Sequence, residues 1–370
     1  MGSRSVGVEE ELLLVDPDDG RALAVSSAVL HDAVVHGQQR AGEALTTEFT
    51  RQQVETNTRP CISLEELGSE LRRWRRAVAE AAHVSDARVA ALATSPVPVV
   101  AAVTPDPRYR EMIDKFGPIA QQQLACGCHI HVEVESDDEG VAVLDRIRGW
   151  LPTLLALSGN SPFWQGEDTG YASFRSQTWN RWPSAGPTEL FGSAEAYHAT
   201  VADMVGAGVI LDEGMIYFDA RLSRSFPTVE VRVADVCLHS DDAVLLAGLT
   251  RGLVETVAGE WRADQPPAAI RVELLRLAAW RAGRSGLDGN LIDPTGGPAP
   301  AQGVIRALVE HVRPALEDLG DYDTVLDLTN TVLSRGNGST LQRDVRRRGG
   351  SLADVVACAV NRTGESCCGT

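Results

Sequence analysis

The sequence predicts an α+β fold, because strand-like segments concentrate before residue 240 and helix-like segments follow it. Three of the strand-like segments have an apolar side and an ionisable side, which is typical of a sheet with one buried face. The chain has neither a Walker loop nor a dinucleotide-binding fingerprint. If this protein uses a nucleotide, it must therefore hold the phosphates with metals and arginines.

The first strand is predicted over residues 6–15, VGVEEELLLV. Alternation places Glu9 and Glu11 on the same face as Gly7, while valines and leucines take the other face. Two carboxylates on one face repel each other unless a cation lies between them. A solvated edge strand is the alternative that this segment alone leaves open.

A second segment, residues 46–58, is rich in β-forming residues and contains Glu48 and Glu55. A regular strand would place these two glutamates on opposite faces, because they are seven residues apart. A site that uses both of them requires a bulge between them.

A helix is predicted to begin at Ser63, which forms a capping-box pattern with Glu66. Its apolar stripe consists of Leu64, Leu67, Leu71, Trp74 and Val78. Its arginines are predicted to form the solvated side; they are Arg72, Arg73, Arg75 and Arg76.

The next strand is predicted over residues 126–135, CGCHIHVEVE. Cys126 and Cys128 fall on its apolar face, whereas His129 and His131 fall on the opposite face. A tetrahedral zinc site needs converging ligands, so this alternation argues against zinc. Two readings remain: a core strand with a polar face, and a strand that supplies His129 to an active site, which we prefer.

Residues 141–157 are predicted to be a helix that tolerates or kinks at Pro152. A long loop is predicted over residues 159–192, with three tryptophans and the arginines Arg175 and Arg181. Long loops in compact domains are often functional. We expect this loop to cover the active site and Arg175 to reach the reacting centre.

The third charged strand is predicted over residues 228–236. Its core face consists of Val229, Val231 and Val233, and its other face carries Glu230 and Arg232. A cross-strand salt bridge would explain such a pair in isolation. Three strands of this kind together indicate one sheet with a charged concave surface.

The remaining chain is predicted to be mostly helical, over residues 241–262, 268–283, 303–319, 323–334 and 351–361. We expect a single catalytic domain over residues 1–370. It would be strand-rich over 1–240 and helix-rich over 241–361, with a flexible tail over 362–370.

Composition limits the class of protein. The chain has 370 residues, of which 44% are hydrophobic, and its 34 basic against 51 acidic residues give a net charge of −17. Such an acidic protein is not expected to bind nucleic acid. Seven cysteines without a framework spacing fit a reducing cytosol, although Cys367 and Cys368 carry no readable signal. We find no signal peptide or membrane span, and predict a cytoplasmic protein.

The chemistry of the candidate residues favours phosphoryl transfer. Carboxylates with an imidazole suit Mg²⁺ or Mn²⁺, and the candidate ligands are Glu9, Glu11, Glu55, His129 and Glu230. Several converging carboxylates would repel one another strongly unless two or three cations and a polyphosphate complete the site. Arg232 and Arg175 could then stabilise a transferring phosphoryl group.

At these residues the sequence resembles a known family, the glutamate–cysteine ligase type 2 group, also called carboxylate–amine ligases. The resemblance rests on motifs that occur in order over roughly residues 5–335. They are residues 7–11, residues 47–49 leading to Glu55, residues 126–131, 158–164, 171–175 and 229–232.

The resemblance implies a glutamine-synthetase-like fold, in which a curved, largely antiparallel sheet forms the active-site face and is backed by helices. It also implies ATP, Mg²⁺ and a γ-glutamyl phosphate that is attacked by an amine. By motif position the metal ligands would be Glu9, Glu11, Glu55, His129 and Glu230, with Glu48 as a further candidate. Arg232 would contact the transferred phosphate, and Arg175 would lie near the phosphate or the acyl oxyanion.

The resemblance does not fix the amine, so cysteine is a default and another amino acid or amine, for instance in specialised metabolism, stays open. A metal-dependent hydrolase and a catalytically inactive binding protein are the other two readings. Release of ADP across pairs of carboxylates and amines would separate them. A homo-oligomer is also an open option.

Overall fold

The computed structural model describes residues 3–35 and 45–365. Its strands are β1 (Val6–Val15), β2 (Leu45–Thr47), β3 (Gln53–Asn57), β4 (Arg88–Ala90), β5 (Gly127–Glu133), β6 (Phe163–Trp164), β7 (Glu167–Asp168), β8 (Ala220–Leu222), β9 (Thr228–Asp235), β10 (Asn290–Ile292) and β11 (Pro298–Pro300).

Helices make up most of the rest. They are α1 (Ser26–Val35), α2 (Leu64–Val84), α3 (Pro107–Phe116), α4 (Pro118–Gln121), α5 (Asp137–Ile147), α6 (Leu151–Ser158), α7 (Arg175–Trp179), α8 (Ala194–Gly206), α9 (Ser240–Arg262), α10 (Val272–Ser285), α11 (Ala301–Leu319), α12 (Tyr322–Arg335), α13 (Gly338–Arg347) and α14 (Leu352–Glu365). A short 3₁₀ helix spans Glu213–Met215.

One seven-stranded sheet organises the molecule, in the order β2–β3–β1–β5–β9–β8, with β4 paired to the end of β1. Every pairing in this sheet is antiparallel. Helix α9 packs against β1 and β5 and also contacts α2, α5, α11 and α12. The α+β class with a helix-backed antiparallel sheet is therefore confirmed.

The helix predicted to begin at Ser63 is confirmed as α2. The Ser63 hydroxyl accepts a hydrogen bond from the Glu66 amide, and the predicted apolar stripe is buried throughout. The prediction for Arg75 was wrong: this side chain is fully buried and donates to both carboxylate oxygens of Glu10, at 2.9 and 2.6 Å. Glu10 points to the back of β1 and supplies the charge that allows a buried arginine there.

Two predicted elements are divided in the structure. The helix predicted over 141–157 is two helices, because α5 ends at Ile147 and α6 begins at Leu151. Pro152 lies in the first turn of α6, where a missing amide hydrogen leaves no bond unmade. The strand predicted over 46–58 is the hairpin of β2 and β3. Glu48 lies in its connection, so no bulge is needed to bring it near Glu55.

The loop predicted over 159–192 has more structure than expected, since it contains the β6–β7 hairpin and α7. The later helices begin and end within four residues of their predicted limits. Helix α14 continues to Glu365, so the predicted tail cannot begin at 362. Residues 366–370, with Cys367 and Cys368, lie outside the described residues. Among the described helices, none has the length and apolarity that crossing a membrane requires.

Candidate active site

The register of four strands brings ionisable residues into one row on the open face of the sheet. Glu9 of β1 lies opposite His129 of β5, and Glu11 of β1 lies opposite Glu55 of β3. On the far side of β5, His131 lies opposite Glu230 of β9. The alternation of the sequence predicted each face, but only the register determines which residues become neighbours.

All six residues predicted as metal ligands converge here: five lie in this row, and Glu48 reaches it from the connection between β2 and β3. Three groups have ligand atoms that lie within 4.8 Å of one another: Glu9, Glu55 and His129; Glu9, His131 and Glu230; and Glu11, Glu48 and Glu55. His131 is the member that sequence reasoning did not assign, although its position on the face of His129 was the available signal. No thiol belongs to these groups within residues 3–35 and 45–365, as the alternation argument expected.

Three of the carboxyl groups have pKa values above their ordinary range. Burial raises the pKa of Glu11 to about 7, against a partial opposing effect of Arg175. Burial and then the nearby Glu55 raise the pKa of Glu48, and burial and then Glu9 raise that of Glu55. These carboxyls therefore resist ionisation until a cation compensates their charge.

The two histidines differ in charge preference. Burial, reinforced by the positive charge of Arg232, lowers the pKa of His129 to about 4, so its imidazole is neutral at pH 7. Burial also opposes the charged form of His131, but contact with Glu9 outweighs it and raises that pKa. Burial disfavours ionised Glu9 as well, yet the two histidines hold its pKa far below the ordinary value.

Glu230 is held by two arginines. Arg221 of β8 donates to it at 2.7 Å, and Arg232 forms an ion pair with it along β9. Burial would raise the pKa of Glu230, but Arg232 and then Arg221 lower it to about 2. Arg221 was missed at the sequence level, since only the pairing of β8 with β9 places it opposite Glu230.

A bulge interrupts the alternation of β9. The register with β5 shifts between Cys128 and Ile130, so that two residues of β9, Arg232 and Val233, lie opposite one. The prediction that Val233 belongs to the core face was therefore wrong: Val233 is partly buried and lies beside Arg232. Ala234 takes the buried position instead.

Arg175 lies beside the row of carboxylates, next to Gly127 and close to Glu11. Its side chain is buried, and its guanidinium lies 3.4 Å from the carbonyl oxygen of Val233. A β-carbon at Gly127 would collide with this guanidinium, so the glycine provides the space for it. The indole of Trp179 packs against both Arg175 and Arg232, with guanidinium carbons 5.6 and 5.7 Å from its ring centre.

A buried carboxylate fixes the segment that carries Arg175. Asp235, at the end of β9, accepts hydrogen bonds from the amide of Asn160 and from the hydroxyls of Ser161 and Ser173, at 2.7–2.8 Å. The Ser161 hydroxyl in turn accepts from the amide of Arg175 at 3.0 Å. The arginine is thus positioned by an ordered framework rather than by a loose loop.

Two cavities meet at the row of carboxylates. The first has a volume of about 240 Å³; the carboxylates Glu9, Glu11, Glu48 and Glu55 form its floor. Its aromatic wall consists of Phe49, Tyr109, Trp179, Trp182 and Tyr217. The second, of about 540 Å³, is bordered by Glu9, Glu55, His131, Arg59 and Phe226. Glu9 and Glu55 therefore border both cavities and lie at the boundary between them.

The donor set fits divalent cations that prefer oxygen ligands. It combines several carboxylates with two imidazoles, which suits Mg²⁺ or Mn²⁺. The Nε2 atom of buried His129 makes no hydrogen bond among the described residues. A buried polar atom without a partner is costly, and a bound cation would satisfy it.

The matches to known proteins extend over almost the whole chain. The model of glutamate–cysteine ligase family 2 matches residues 5–358. A protein of Streptomyces avermitilis named "Putative glutamate–cysteine ligase 2-1" is 54% identical over 361 residues, covering 97% of this chain and 99% of the relative. A protein of Streptomyces coelicolor named "Putative glutamate–cysteine ligase 2" is 52% identical over 361 residues, with the same coverage.

Solved structures support the fold. The glutamate–cysteine ligase of Francisella tularensis, crystallised in complex with AMP, has a TM-score of 0.69 at 15% identity, covering 99% of this chain and 93% of that one. A bifunctional glutathione synthetase from Pasteurella multocida has a TM-score of 0.68 at 15% identity, covering 98% of this chain and 52% of that one. At such identities the likeness concerns the fold alone.

Proposed function

This chain belongs to glutamate–cysteine ligase family 2, and on that premise we propose that it is an ATP-dependent carboxylate–amine ligase. It would activate the side-chain carboxylate of glutamate as an acyl phosphate. It would then join the acyl group to the amine of cysteine or of another amino acid or amine. ATP use is part of the proposal, and the AMP bound to the Francisella ligase supports it.

The observation that carries this proposal is the row of carboxylates shared by two cavities. The larger cavity, about 540 Å³ and mostly apolar, has room for a nucleotide base and ribose, and Arg59 lies at its border. The smaller one, about 240 Å³, has room for the acid and the amine. A phosphoryl group that passes between them must cross the row at Glu9 and Glu55.

The proposed reaction has two steps. An oxygen of the glutamate side-chain carboxylate attacks the γ-phosphorus of ATP, and ADP leaves. The nitrogen of the amine then attacks the acyl carbon, inorganic phosphate leaves, and the nitrogen loses a proton. Mg²⁺ or Mn²⁺ held by Glu9, Glu11, Glu48, Glu55, His129 and Glu230 would neutralise the charge of the polyphosphate.

The protein's own groups have distinct parts in this proposal. Arg232 lines the smaller cavity and is placed to stabilise the charge of the transferring phosphoryl group. Arg175 lies close enough to Glu11 to favour its ionised form. The aromatic wall with Trp179 and Trp182 limits the access of water to the acyl phosphate. The identity of the amine is left to experiment, and cysteine is the default by family.

The test is release of ADP from purified protein given ATP, glutamate and a panel of amines, with the amide product measured in parallel. We expect ADP and amide to form together and only with Mg²⁺ or Mn²⁺. ADP release that survives complete chelation of divalent ions would contradict the proposal. Metal-dependent hydrolysis of amides without nucleotide would favour a hydrolase instead. A cytoplasmic enzyme, acting alone or as a homo-oligomer, would be compatible with this activity.

A further inference from the structure

An ion pair lies at the outer wall of the smaller cavity. Arg108, in the first turn of α3, donates through Nε and Nη2 to the two carboxylate oxygens of Asp212, at 2.7 and 3.0 Å. The two side chains are 36% and 38% exposed, whereas Glu11 on the cavity floor is buried. The pair therefore lies at the solvent side of the space whose floor is the row of carboxylates.

Arg108 is accessible from inside the cavity, and Asp212 adjoins the cavity at Gly214. Arg108 itself lines the cavity, together with Gly214. A β-carbon at Gly214 would lie 2.8 Å from Oδ1 of Asp212 and 3.2 Å from Nη2 of Arg108. A ligand atom resting against this glycine can thus reach both charged groups, and the Nη1 atom of Arg224, 3.3 Å from the same position, adds a second positive charge beside them.

Both members of the pair retain hydrogen-bonding capacity. Within residues 3–35 and 45–365, the Nη1 atom of Arg108 donates only to the thioether of Met112, at 3.5 Å, although a guanidinium carries five N–H donors. The carboxylate of Asp212 accepts from Arg108 and from the amide of Gly214, whereas a carboxylate can accept about four hydrogen bonds. A ligand can therefore bind without breaking the ion pair.

We propose that Arg108 and Asp212 bind the α-carboxylate and the α-ammonium group of an amino acid, so that its side-chain carboxylate points to the row at Glu9–Glu55. The inference rests on the proposed function and specifies it. A guanidinium and a carboxylate side by side complement the α-carboxylate and the α-ammonium group of a zwitterion, whereas an acid that lacks either α-group leaves one of them without a partner.

The size of the cavity agrees with this orientation. The cube root of about 240 Å³ is about 6 Å, comparable with the extended length of a five-carbon amino acid. A glutamate whose α-groups lie at the ion pair can therefore place its γ-carboxylate at the floor. The arrangement would explain why the side-chain carboxylate, and not the α-carboxylate, is activated.

If the ion pair of Arg108 and Asp212 only held α3 in place, its loss would have a different effect. Lys115 of the same helix already connects α3 to the segment after α8, through the carbonyl oxygen of Gly208. If the pair served only as a second brace, its loss would lower thermal stability without changing the order of preference among acids. Preference among acids is therefore the decisive measurement.

The experiment measures binding by calorimetry in the presence of Mg²⁺ and a non-hydrolysable ATP analogue, and turnover by ADP release. The acids are glutamate, glutarate, which lacks the α-amine, and 4-aminobutyrate, which lacks the α-carboxylate. We expect the wild type to prefer glutamate over both by about 10- to 100-fold, as expected for loss of a charge-assisted hydrogen bond. Asp212→Asn should lose the preference over glutarate, and Arg108→Gln the preference over 4-aminobutyrate.

The control is Glu111→Gln, which removes an exposed carboxylate from the helix that carries Arg108; its preferences should equal those of the wild type. If Asp212→Asn is unstable, Asp212→Glu should keep part of the preference. Preferences that persist in both variants, or a wild type without preference for glutamate, would overturn the inference while leaving ligase activity intact. Glutamate that binds with the expected preferences but never releases ADP would overturn the proposed function alone.

Discussion

The carboxyl group of Glu11 offers the sharpest physical test of the site. Its oxygen Oε2 accepts a hydrogen bond of 2.6 Å from the amide of Gly127, and burial raises its pKa to about 7. Glu11→Gln removes the ionisable group but retains an oxygen that can accept the same hydrogen bond. The substitution therefore isolates the cost of charge at this position.

The magnitude follows from the pKa. A rise in the pKa of Glu11 from 4.5 to about 7 corresponds to about 3 kcal/mol, at about 1.36 kcal/mol for each pKa unit. Because the folded-state pKa lies above the unfolded one, the folded protein binds more protons between these values. The free energy of unfolding therefore falls as pH rises from about 4.5 to about 7 in the absence of metal. Near pH 8 the free energy of unfolding of the metal-free Glu11→Gln variant should exceed that of the wild type by up to about 3 kcal/mol, which corresponds to a rise in Tm of about 4 °C.

The assay is thermal unfolding at pH 5 to 8, with a chelator or with excess Mn²⁺. The advantage of the variant should shrink toward pH 5, and excess Mn²⁺ should stabilise the wild type more than the variant. Glu111→Gln, which alters an exposed carboxylate, is the control and should follow the wild type. A metal-free variant that melts below the wild type by the same margin at every pH would refute the reasoning.

Four further outcomes are expected. Glu230→Gln should lower the rate of ADP release by about 10²–10³, because the loss of a carboxylate that holds the cation leaves phosphate charge uncompensated; near-normal turnover would contradict its role. Arg175→Lys should reduce amide formation. If amide formation is lost while ADP release is retained, Arg175 acts at the second step, and if both are lost it acts at phosphoryl transfer. Unchanged rates of both would show that Arg175 has no catalytic part. Replacing Cys126 and Cys128 together by alanine should keep activity within a few-fold, since both are buried in the core; stoichiometric zinc that disappears with the change would overturn this. Arg75→Met should cost about 3–5 kcal/mol of folding stability by leaving a buried carboxylate unpaired, measurable by urea unfolding, and a cost below about 1 kcal/mol would show that water or another group compensates.

Much of the site could be predicted from the sequence because alternation along a strand is a local property. Glu9 with Glu11, His129 with His131, and Glu230 with Arg232 were each assigned to an open face, and each pair lies there. Residues 126–135 also illustrate what alternation excludes, since it places the thiols and the imidazoles on opposite faces of the strand.

The remaining features depend on contacts between distant segments. Arg221 joins the site only because β8 pairs with β9 in one particular register. Glu48 reaches Glu55 through a hairpin that β-forming residues alone could not distinguish from one long strand. Arg75 resembles its exposed neighbours along α2, and only the packing of that helix against β1 reveals its buried partner.

The buried pair of Arg75 and Glu10 has a consequence for the accuracy of strand pairing. Three consecutive glutamates make the pairing register of β1 ambiguous. A shift of one residue would exchange Glu10 for its neighbours and move two carboxylates into the core. The guanidinium of Arg75 accommodates a single carboxylate, and it is fixed by the carbonyl oxygens of Cys237 and Leu238 as well. Arg75 therefore stabilises only the alignment of β1 in which Glu10, the middle glutamate, lies on this face. Selectivity for one alignment of β1 is thus encoded on the side of the sheet that never meets a substrate.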